Sequence, residues 1–354
     1  MSRPRAAYRS TSSGDCHRIG TGGIGLHHDP PGVSPPGGSL PCSRPCHRAR
    51  WATSPSSICA AITGGTVAIQ GRRLHFRGSL ALDGVSLSVA AGSITALVGP
   101  NAAGKSTLIK TFVGFERPTS GSVRVLGIYR HRDGGGALAR LGYVPQAPSL
   151  YRELSAADHM DMALHVRPDF DRQGALDHLE DLGIDPRAHP GSLSGGQQAQ
   201  VMLAIALGAR PEVLLLDEPL ASLDPLARTE FLALLRQEVR ERGTTALLSS
   251  HIVTDIEQVC DRLIVLGVGR VLLDETLDDA KRMHGVLVGD EVAPDGVTEV
   301  GRFPGDDGAK VALVRLGPAL AHDSLRPATI DEVVKGYLVA GRRGRVGQRH
   351  ERPS

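Results

Sequence analysis

Short apolar runs alternate with helix-like segments through the middle of the chain. Residues 93–98, 213–216 and 244–248 are runs of mainly apolar and β-branched residues. Runs of this kind are typical of strands that are buried on both faces of a parallel sheet. Residues 108–112 and 201–207 each follow a glycine-rich segment and predict helices. This alternation indicates an α/β fold that is built on a parallel sheet.

The first sixty or so residues show no strand or helix period, and Ser, Gly, Pro and Arg dominate them. Such a segment cannot bury enough apolar surface to fold alone, so we predict a disordered N-terminal extension over residues 1–62. A transit peptide is an alternative because the segment is rich in Arg and poor in acids. A zinc site is another, although the cysteine spacings match no closed zinc site. The cysteines in question are Cys16, Cys42, Cys46 and Cys59.

The pattern changes again after Leu273. A helix-like segment, two strand-like runs and a final helix occur at residues 277–284, 286–288, 311–316 and 327–338. They predict a small α+β C-terminal extension over residues 275–340, with Thr329 as the N-cap of the final helix. Residues 341–354 are rich in Arg and predict a basic disordered tail. Contact of this tail with anionic lipid is an alternative to simple solvation.

Composition limits the possible partners. The chain has 354 residues, which allows one to three domains, and its formal net charge is only +2. Aromatic residues make up 3% of the chain, which is too few for base-stacking platforms, so we expect no nucleic-acid partner. No run approaches eighteen consecutive apolar residues, so the sequence predicts no membrane span.

A phosphate-binding loop is the strongest motif in the sequence. Residues 99–107 fit the pattern G-x-x-x-x-G-K-[ST]. Glycines let the backbone N–H groups curl around phosphate oxygens, and the following helix directs its positive N-terminus at the same anion. Lys105 is expected to reach the β- and γ-phosphates, and the Ser106 hydroxyl can ligate Mg²⁺. The predicted phosphate-binding residues are Gly99, Pro100, Asn101, Ala102, Ala103, Gly104, Lys105, Ser106 and Thr107.

Two acids follow the apolar run at 213–216. Asp217 lies where it could hold a Mg²⁺-bound water, and Glu218 where it could polarise an attacking water. A second glycine-rich segment, Leu193–Gln197, precedes the helical run at 201–207 and could form another anion site at a helix start. An ordinary loop with a Ser N-cap is the alternative for this segment.

The order of these segments resembles the ATP-binding-cassette (ABC) ATPases. Leu193–Gln197 reads Leu-Ser-Gly-Gly-Gln about twenty residues before the acidic pair, as in that family's signature. The resemblance extends from about Thr66 to Leu273. Further short matches are an aromatic at Phe76, a glutamine loop at Tyr143–Gln146, a loop at Ser222–Asp224 and a switch histidine at His251.

The resemblance implies a fold in three parts within residues 63–274. These parts are a P-loop NTPase core with a parallel sheet, an antiparallel β subdomain, and a helical signalling subdomain at about residues 150–192. Two cassettes are expected to meet head to tail, as a pair of identical chains or with a homologue.

The resemblance also assigns roles to single residues. ATP would lie between the phosphate loop of one cassette and Ser194, Gly195, Gly196 and Gln197 of the other. Glu218 would act as the base or water-orienting group, His251 would contact the γ-phosphate, and Asp224 would couple the two sites. Gln146 would sense the water and Mg²⁺, which Ser106 and Asp217 would help to hold. Phe76 would stack on adenine, although simple packing is an alternative for Phe76, as a structural role is for His251.

Some positions depart from the family pattern. Ala102 stands where glycine is usual, Gln200 and Ile205 replace basic residues, and Leu220–Ser222 replaces Thr-Ser-Gly. None of these changes removes a catalytic group, but they could slow turnover.

The family also implies partners and a location. A separate transmembrane permease is expected, with this chain as the ATPase subunit on the cytoplasmic, inner face of the cell membrane. The Arg167–Asp171 segment and the final helix resemble exporter cassettes, so export is the expected direction. A non-transport ABC ATPase, such as an assembly scaffold or a regulatory protein, is the alternative function.

Overall fold

The computed structural model describes residues 67–76, 79–129, 136–289, 293–294, 296–305, 308–317 and 325–349. The predicted N-terminal extension, residues 1–62, lies outside them. The described residues belong to a single unit of the chain, Ala60–Ser354. Among them, no helix is both long enough and apolar enough to cross a membrane.

Strands and helices alternate along the described residues. The strands are β1 (Val67–Phe76), β2 (Ser79–Val89), β3 (Ile94–Val98), β4 (Ser122–Val125), β5 (Ile128–Tyr129), β6 (Leu141–Val144), β7 (Val213–Asp217), β8 (Thr245–Ser250), β9 (Arg262–Gly267), β10 (Arg270–Thr276), β11 (His284–Val288), β12 (Val297–Pro304), β13 (Lys310–Leu316) and β14 (Arg326–Pro327). The helices are α1 (Lys105–Val113), α2 (Ala156–Val166), α3 (Arg172–Asp181), α4 (Gly195–Gly208), α5 (Pro225–Arg242), α6 (Val253–Val259), α7 (Leu277–Arg282) and α8 (Ile330–Arg349).

The central sheet has the strand order β10-β9-β3-β8-β7-β6. Its strands run parallel except β10, which is antiparallel to β9. Every residue of β3, β7 and β8 is buried, which explains their uninterrupted apolar sequences. The predicted parallel sheet is confirmed, and the carboxyl ends of β3, β7 and β8 meet at one edge of it.

Both faces of this sheet are covered. In β3, Ala96 and Val98 belong to a core shared with α5 and α6, whereas Leu97 belongs to a second core shared with α1. This alternation is the period of two that a strand imposes on its side chains. The second core also includes residues of an antiparallel sheet with the order β2-β1-β4-β5, which is the expected antiparallel β subdomain.

Helices α2, α3 and α4 enclose a separate small core around Met160, Leu179 and Val201. Helix α2 begins with a capping box: the Ser155 hydroxyl accepts from the Asp158 N–H at 3.1 Å, and the Ser155 N–H donates to the Asp158 carboxylate at 2.9 Å. Ser155 followed three residues later by an acid is a sequence signal for a helix start. These helices form the expected helical subdomain.

The C-terminal region forms an antiparallel sheet with the order β12-β13-β11-β14, and α8 packs against it. A Cβ at Gly301 would lie 2.4 Å from the Gly336 carbonyl, so α8 crosses β12 at backbone contact. Phe303 and Leu313 of this sheet share one hydrophobic core with the central sheet. The C-terminal region is therefore packed onto the central sheet through a continuous hydrophobic core.

Three details of this region differ from the sequence prediction. Strand β12 was not predicted, because Glu299, Gly301 and Pro304 interrupt its apolar pattern. Residue His284 begins β11 and does not end a helix. Helix α8 continues to Arg349, so the prediction of disorder from residue 341 is wrong up to that residue. The physical reason is that Gly341 lies directly against Leu272, which holds the helix on β10.

A partly buried chain of hydrogen bonds joins the C-terminal sheet to the central sheet. Arg315 donates to the Tyr337 hydroxyl at 3.0 Å and pairs with Glu275 of β10. The His284 Nδ1 lies 2.8 Å from the Ala280 carbonyl and its Nε2 lies 3.1 Å from the Tyr337 hydroxyl. The carbonyl can only accept, so His284 carries its proton on Nδ1 and accepts from Tyr337 at Nε2. This directional chain requires neutral His284.

We expect the free energy of unfolding to fall as pH drops below about 6.5. Burial lowers the pKa of His284, so between the two pKa values the unfolded chain binds more protons than the folded chain. The stabilisation is therefore complete above the unfolded pKa and is lost as pH falls. Denaturant unfolding at pH 7.5 and 5.5 measures the effect, and His284→Gln should flatten the pH dependence. An equal pH dependence in that variant would contradict the assignment.

Candidate functional site

The phosphate loop connects β3 to α1 and requires glycine at two positions. A Cβ at Gly99 would lie 2.2 Å from the Leu266 carbonyl oxygen, so crowding excludes a side chain there. Gly104 has φ 106°, and a Cβ on it would lie 2.9 Å from the Ala81 carbonyl oxygen. The sequence argument for these glycines rested on backbone freedom, which holds for Gly104, whereas Gly99 is explained by close approach to β9.

Ala102 also adopts a left-handed conformation, with φ 63°. An L-residue with a Cβ pays roughly 1–2 kcal/mol in this region, and glycine does not. Alanine in place of the usual glycine therefore strains the backbone at this position. The sequence alone did not reveal this strain.

We expect Ala102→Gly to change ATP affinity by less than about tenfold, or 1.4 kcal/mol. Relief of strain tightens binding, while the added freedom of glycine in the empty loop weakens it. Calorimetric titration with ATP measures the net change in affinity, and denaturant unfolding measures any change in stability. Ala103→Gly is the matched control: Ala103 is 3% exposed and packs in the second core, so this change should destabilise the fold. A much larger gain in affinity for Ala102→Gly would mean that the natural loop is impaired.

Lys105 is buried at the base of the loop, with 4% of its surface exposed. Its Nζ donates to the Gly99 carbonyl at 2.7 Å and to the Pro100 carbonyl at 3.4 Å. The same Nζ lies 2.9 Å from Oε1 of Glu218. Lys105 therefore links the phosphate loop to the acidic end of β7.

Asp217 accepts two hydrogen bonds at the same oxygen. The hydroxyls of Ser106 and Ser249 each donate to Oδ1 at 3.0 Å. Ser249 also accepts from the Glu218 N–H at 2.8 Å, so it bridges the two acids. Burial raises the pKa of Asp217, and the two hydroxyls oppose this effect.

Ser249 is a site residue that the sequence prediction missed. It lies directly beside Asp217 in the register of β7 and β8 and is completely buried. The available signal was a hydroxyl at the end of an apolar strand, two residues before the predicted switch histidine. Only the pairing of β7 with β8 shows that this hydroxyl lies beside Asp217.

Glu218 lies between two basic groups. Its Oε1 pairs with Lys105, and its Oε2 lies 2.9 Å from Nδ1 of His251. Burial raises the pKa of Glu218, but the bonds and charges of Lys105 and His251 outweigh burial and lower it. Glu218 has φ 49°, a strained conformation that aims its carboxylate into the site.

A cavity of about 300 Å³ opens at this edge of the sheet. It is lined by Asn101, Ala102, Ala103, Gly104, Lys105, Ser106, Thr107, Gln146 and Glu218. This volume is at the lower end of the range for small-molecule sites. The structure thus brings the predicted phosphate loop, glutamine and acid around one cavity, with Asp217 and His251 in contact with its lining residues.

The signature segment, Leu193–Gln197, does not line the phosphate-loop cavity. Ser194 caps α4: its hydroxyl accepts from the Gln197 N–H at 3.1 Å, and the Gln197 side chain accepts from the Ser194 N–H at 2.9 Å. A Cβ at Gly195 would lie 3.5 Å from Cβ of Ser222. A Cβ at Gly196 would lie 3.2 Å from Cδ2 of Leu223.

Two other predicted site residues, Asp224 and Phe76, and one departure from the family pattern, Gln200, lie at the start of α5, at the end of β1 and in α4. Asp224 is exposed and caps α5 through bonds from the N–H groups of Leu226 and Ala227. Thus neither Asp224 nor the signature segment lines the phosphate-loop cavity. Phe76 ends β1, where it pairs with Ser79, and its side chain lies outside the described part of the structure. Gln200 is buried, with no hydrogen-bond partner for its amide among the described residues.

The fold and the site define a class of protein. A glycine-rich loop joins the central parallel strand β3 to a helix and has a lysine at its base, and paired acids lie at the end of β7, the next strand but one. This is the arrangement of a P-loop nucleoside triphosphatase.

Comparisons with known proteins narrow this class. A family model described as ABC transporter matches residues 82–221. The methionine import ATP-binding protein MetN of Mesorhizobium japonicum is 39% identical over 54% of this chain, which covers 55% of that protein. The aliphatic sulfonates import ATP-binding protein SsuB 1 of the same organism is 36% identical over 60% of this chain and 82% of that protein. The lipopolysaccharide export system ATP-binding protein LptB of Acidithiobacillus ferridurans is 35% identical over 61% of this chain and 93% of that protein.

Solved structures that resemble this chain belong to the same class of protein. An ATP-binding subunit of an ABC transporter has a TM-score of 0.56 and 29% identity, covering 61% of this chain and 92% of that one. The dimeric bacterial ABC transporter cassette MJ0796 has a TM-score of 0.55 and 25% identity, covering 60% of this chain and 98% of that one. This chain belongs to the ABC transporter family, as an ATP-binding subunit and ATPase. The family resemblance found in the sequence is confirmed.

Proposed function

We propose that this chain hydrolyses ATP in the phosphate-loop cavity and thereby drives a separate membrane permease. The observation that carries the proposal is the linked set Lys105–Glu218–His251 beside Ser106–Asp217, all at the carboxyl edge of the central sheet. These are the cation, base and hard-oxygen groups that phosphoryl transfer to water needs.

The donor set at Asp217 fits Mg²⁺. A carboxylate and a hydroxyl lie 3.0 Å apart, and Gln146 adds an amide oxygen at the cavity wall. Mg²⁺ prefers such oxygen ligands and usually retains several waters. When bound, the ion would neutralise charge on the β- and γ-phosphates. In this proposal Ser106 is a direct ligand, and Asp217 and Gln146 act at the ion or its waters.

The side chains of Lys105, Glu218 and His251 have separate roles in the proposed hydrolysis. Lys105 exchanges the Glu218 carboxylate for phosphate oxygens, which releases Glu218 toward the attacking water. In the empty site Lys105 and His251 lower the pKa of Glu218, so Glu218 is ionised when the nucleotide arrives and can polarise that water. The water oxygen bonds to the γ-phosphorus as the bond to the bridging oxygen breaks, giving ADP and phosphate. We assign His251 to the γ-phosphate, which it can reach from its contact with Glu218.

A second cassette would complete the site. Ser194, Gly195, Gly196, Gln197 and Asp224 lie outside the cavity of their own chain, and this supports their supply in trans. The solved relative MJ0796 is a dimer. We propose that ATP closes a pair of these chains, or this chain and a homologue, head to tail.

Ser194→Arg tests this arrangement. It should leave MgATP binding to a single chain within about threefold and remove hydrolysis, because the changed residue faces the other chain's nucleotide. Ser192→Arg, which changes an exposed residue two positions earlier, is the control and should remain active. Loss of binding in Ser194→Arg would place the signature in its own chain's site.

The transport role is a further proposal. Among the relatives above, two are named as import proteins and one as part of an export system, so they support transport but not one direction. Export remains the direction that the sequence favours, with the chain peripheral on the inner face of the membrane. Co-purification in detergent with a candidate permease, and stimulation of ATPase activity by that permease, test the role. Full activity without any membrane partner would favour the non-transport alternative.

A further inference from the structure

The turn at residues 220–223 lies between Glu218 and Asp224, the N-cap of α5. Its backbone closes on itself, since the Leu223 N–H donates to the Leu220 carbonyl at 3.2 Å. The side chains of both leucines are buried in the core of the central sheet. The turn therefore connects the proposed catalytic acid to a residue proposed to act in the other chain's site.

The signature segment packs against this turn. A Cβ at Gly195 would lie 3.5 Å from Cβ of Ser222, and a Cβ at Gly196 would lie 3.2 Å from the Ser222 carbonyl oxygen. Contacts at this distance transmit displacement, because closely packed atoms leave no gap to absorb it. A shift of the turn would therefore displace the first residues of α4.

Arg228 of α5 holds both ends of the turn. Its Nε donates to the Leu223 carbonyl at 3.0 Å and to the Leu220 carbonyl at 3.2 Å. Hydrogen bonds from a charged donor are stronger than those from a neutral one. The guanidinium thus fixes the carbonyl groups of a turn that otherwise has one backbone hydrogen bond between its ends.

Arg228 also joins the turn to α6. Its Nη1 lies 3.8 Å from Oδ2 of Asp255, a buried atom with no hydrogen-bond partner among the described residues. Asp255 lies in the first turn of α6, four residues after His251. One guanidinium therefore connects the turn after Glu218, helix α5 and the helix that follows the switch histidine.

We propose that Arg228 is a positioning residue for ATP hydrolysis: it fixes the turn, so that the signature segment and Asp224 meet the other chain's nucleotide in the productive geometry. This inference rests on the proposed head-to-tail pair. Arg228 does not line the phosphate-loop cavity, so its loss should impair pairing and turnover and spare nucleotide binding to a single chain. A misplacement of about 1 Å can lower a rate on the order of a hundredfold.

Arg228→Met tests this role, because methionine keeps the apolar stem of the side chain but has neither donor nor charge. We expect kcat of the full chain to fall by at least about tenfold. Calorimetric affinity for MgADP, which does not require the pair, should stay within about threefold. In the Glu218→Gln background, Arg228→Met should raise the protein concentration at which MgATP-bound dimers form by at least about tenfold, measured by light scattering.

Arg236→Met is the matched control. Arg236 lies eight residues further along α5 and donates to the Gln258 carbonyl at 2.6 Å, so it also ties α5 to α6 but does not contact the turn. Turnover and pairing of this variant should stay within about threefold of the natural values. Equal losses in Arg228→Met and Arg236→Met would assign both to general loosening of α5 and overturn the proposal.

Thermal unfolding confirms that each variant is folded. Arg228→Ala is the second variant, and either folded variant decides the role. Normal turnover, normal pairing, or loss of MgADP binding in a folded Arg228 variant would overturn the proposal. Absence of hydrolysis by the natural chain would instead overturn the proposed function, and pairing in the Glu218→Gln background would then still test Arg228.

Discussion

Lys105→Ala is expected to abolish ATP binding, with an affinity loss of at least about a hundredfold, or 2.7 kcal/mol. Lys105 is the cation at the base of the phosphate loop, and its Nζ already holds a carboxylate oxygen at 2.9 Å in a buried setting. A phosphate oxygen would take that position, and alanine offers it no donor. Calorimetric titration with MgATP measures the loss.

The same substitution also affects the nucleotide-free fold. It leaves the buried Glu218 carboxylate with His251 but without its nearest cation, which costs roughly 1–3 kcal/mol of stability. Lys110→Ala is the control, since Lys110 is exposed on the same helix and should retain binding and stability. If folded Lys105→Ala bound MgATP as tightly as the natural chain, the assignment of the phosphate loop would be wrong.

The parts of the fold that could be predicted are those with a strong local signal. Strands β3, β7 and β8 are buried on both faces, so their sequences are continuously apolar. The helix start at Ser155 and the helix cap at Thr329 also follow from local hydrogen bonds, and both are confirmed.

The parts that could not be predicted depend on contacts distant in sequence. Ser249 acquires its place between the acids only through the register of β7 with β8. Gly99 is fixed by the Leu266 carbonyl of β9, which lies far along the chain. The backbone strain at Ala102 and Glu218 comes from their positive φ angles, which residue type alone does not predict. The helical start of the Arg-rich tail likewise depends on Leu272, a residue of another element.

Glu218→Gln is expected to retain ATP binding and to slow hydrolysis by about 10²–10⁴-fold. The amide keeps the shape of the side chain but loses the negative charge that polarises the attacking water. It also weakens the contact that holds Lys105 in the empty site, so MgATP should bind at least as tightly as in the natural chain. Phosphate release and calorimetric titration measure the two effects separately.

Stalled hydrolysis should make ATP-bound dimers accumulate, because the pair opens only after turnover in the proposed cycle. Light scattering of Glu218→Gln with MgATP should therefore report twice the mass seen without nucleotide. Glu230→Gln, an exposed carboxylate on α5, serves as the control and should turn over normally. Normal turnover in Glu218→Gln would remove Glu218 from its catalytic role. A stalled variant that stays monomeric with ATP would keep that role and reject the head-to-tail pair, since only the pair requires the signature segment of a second chain.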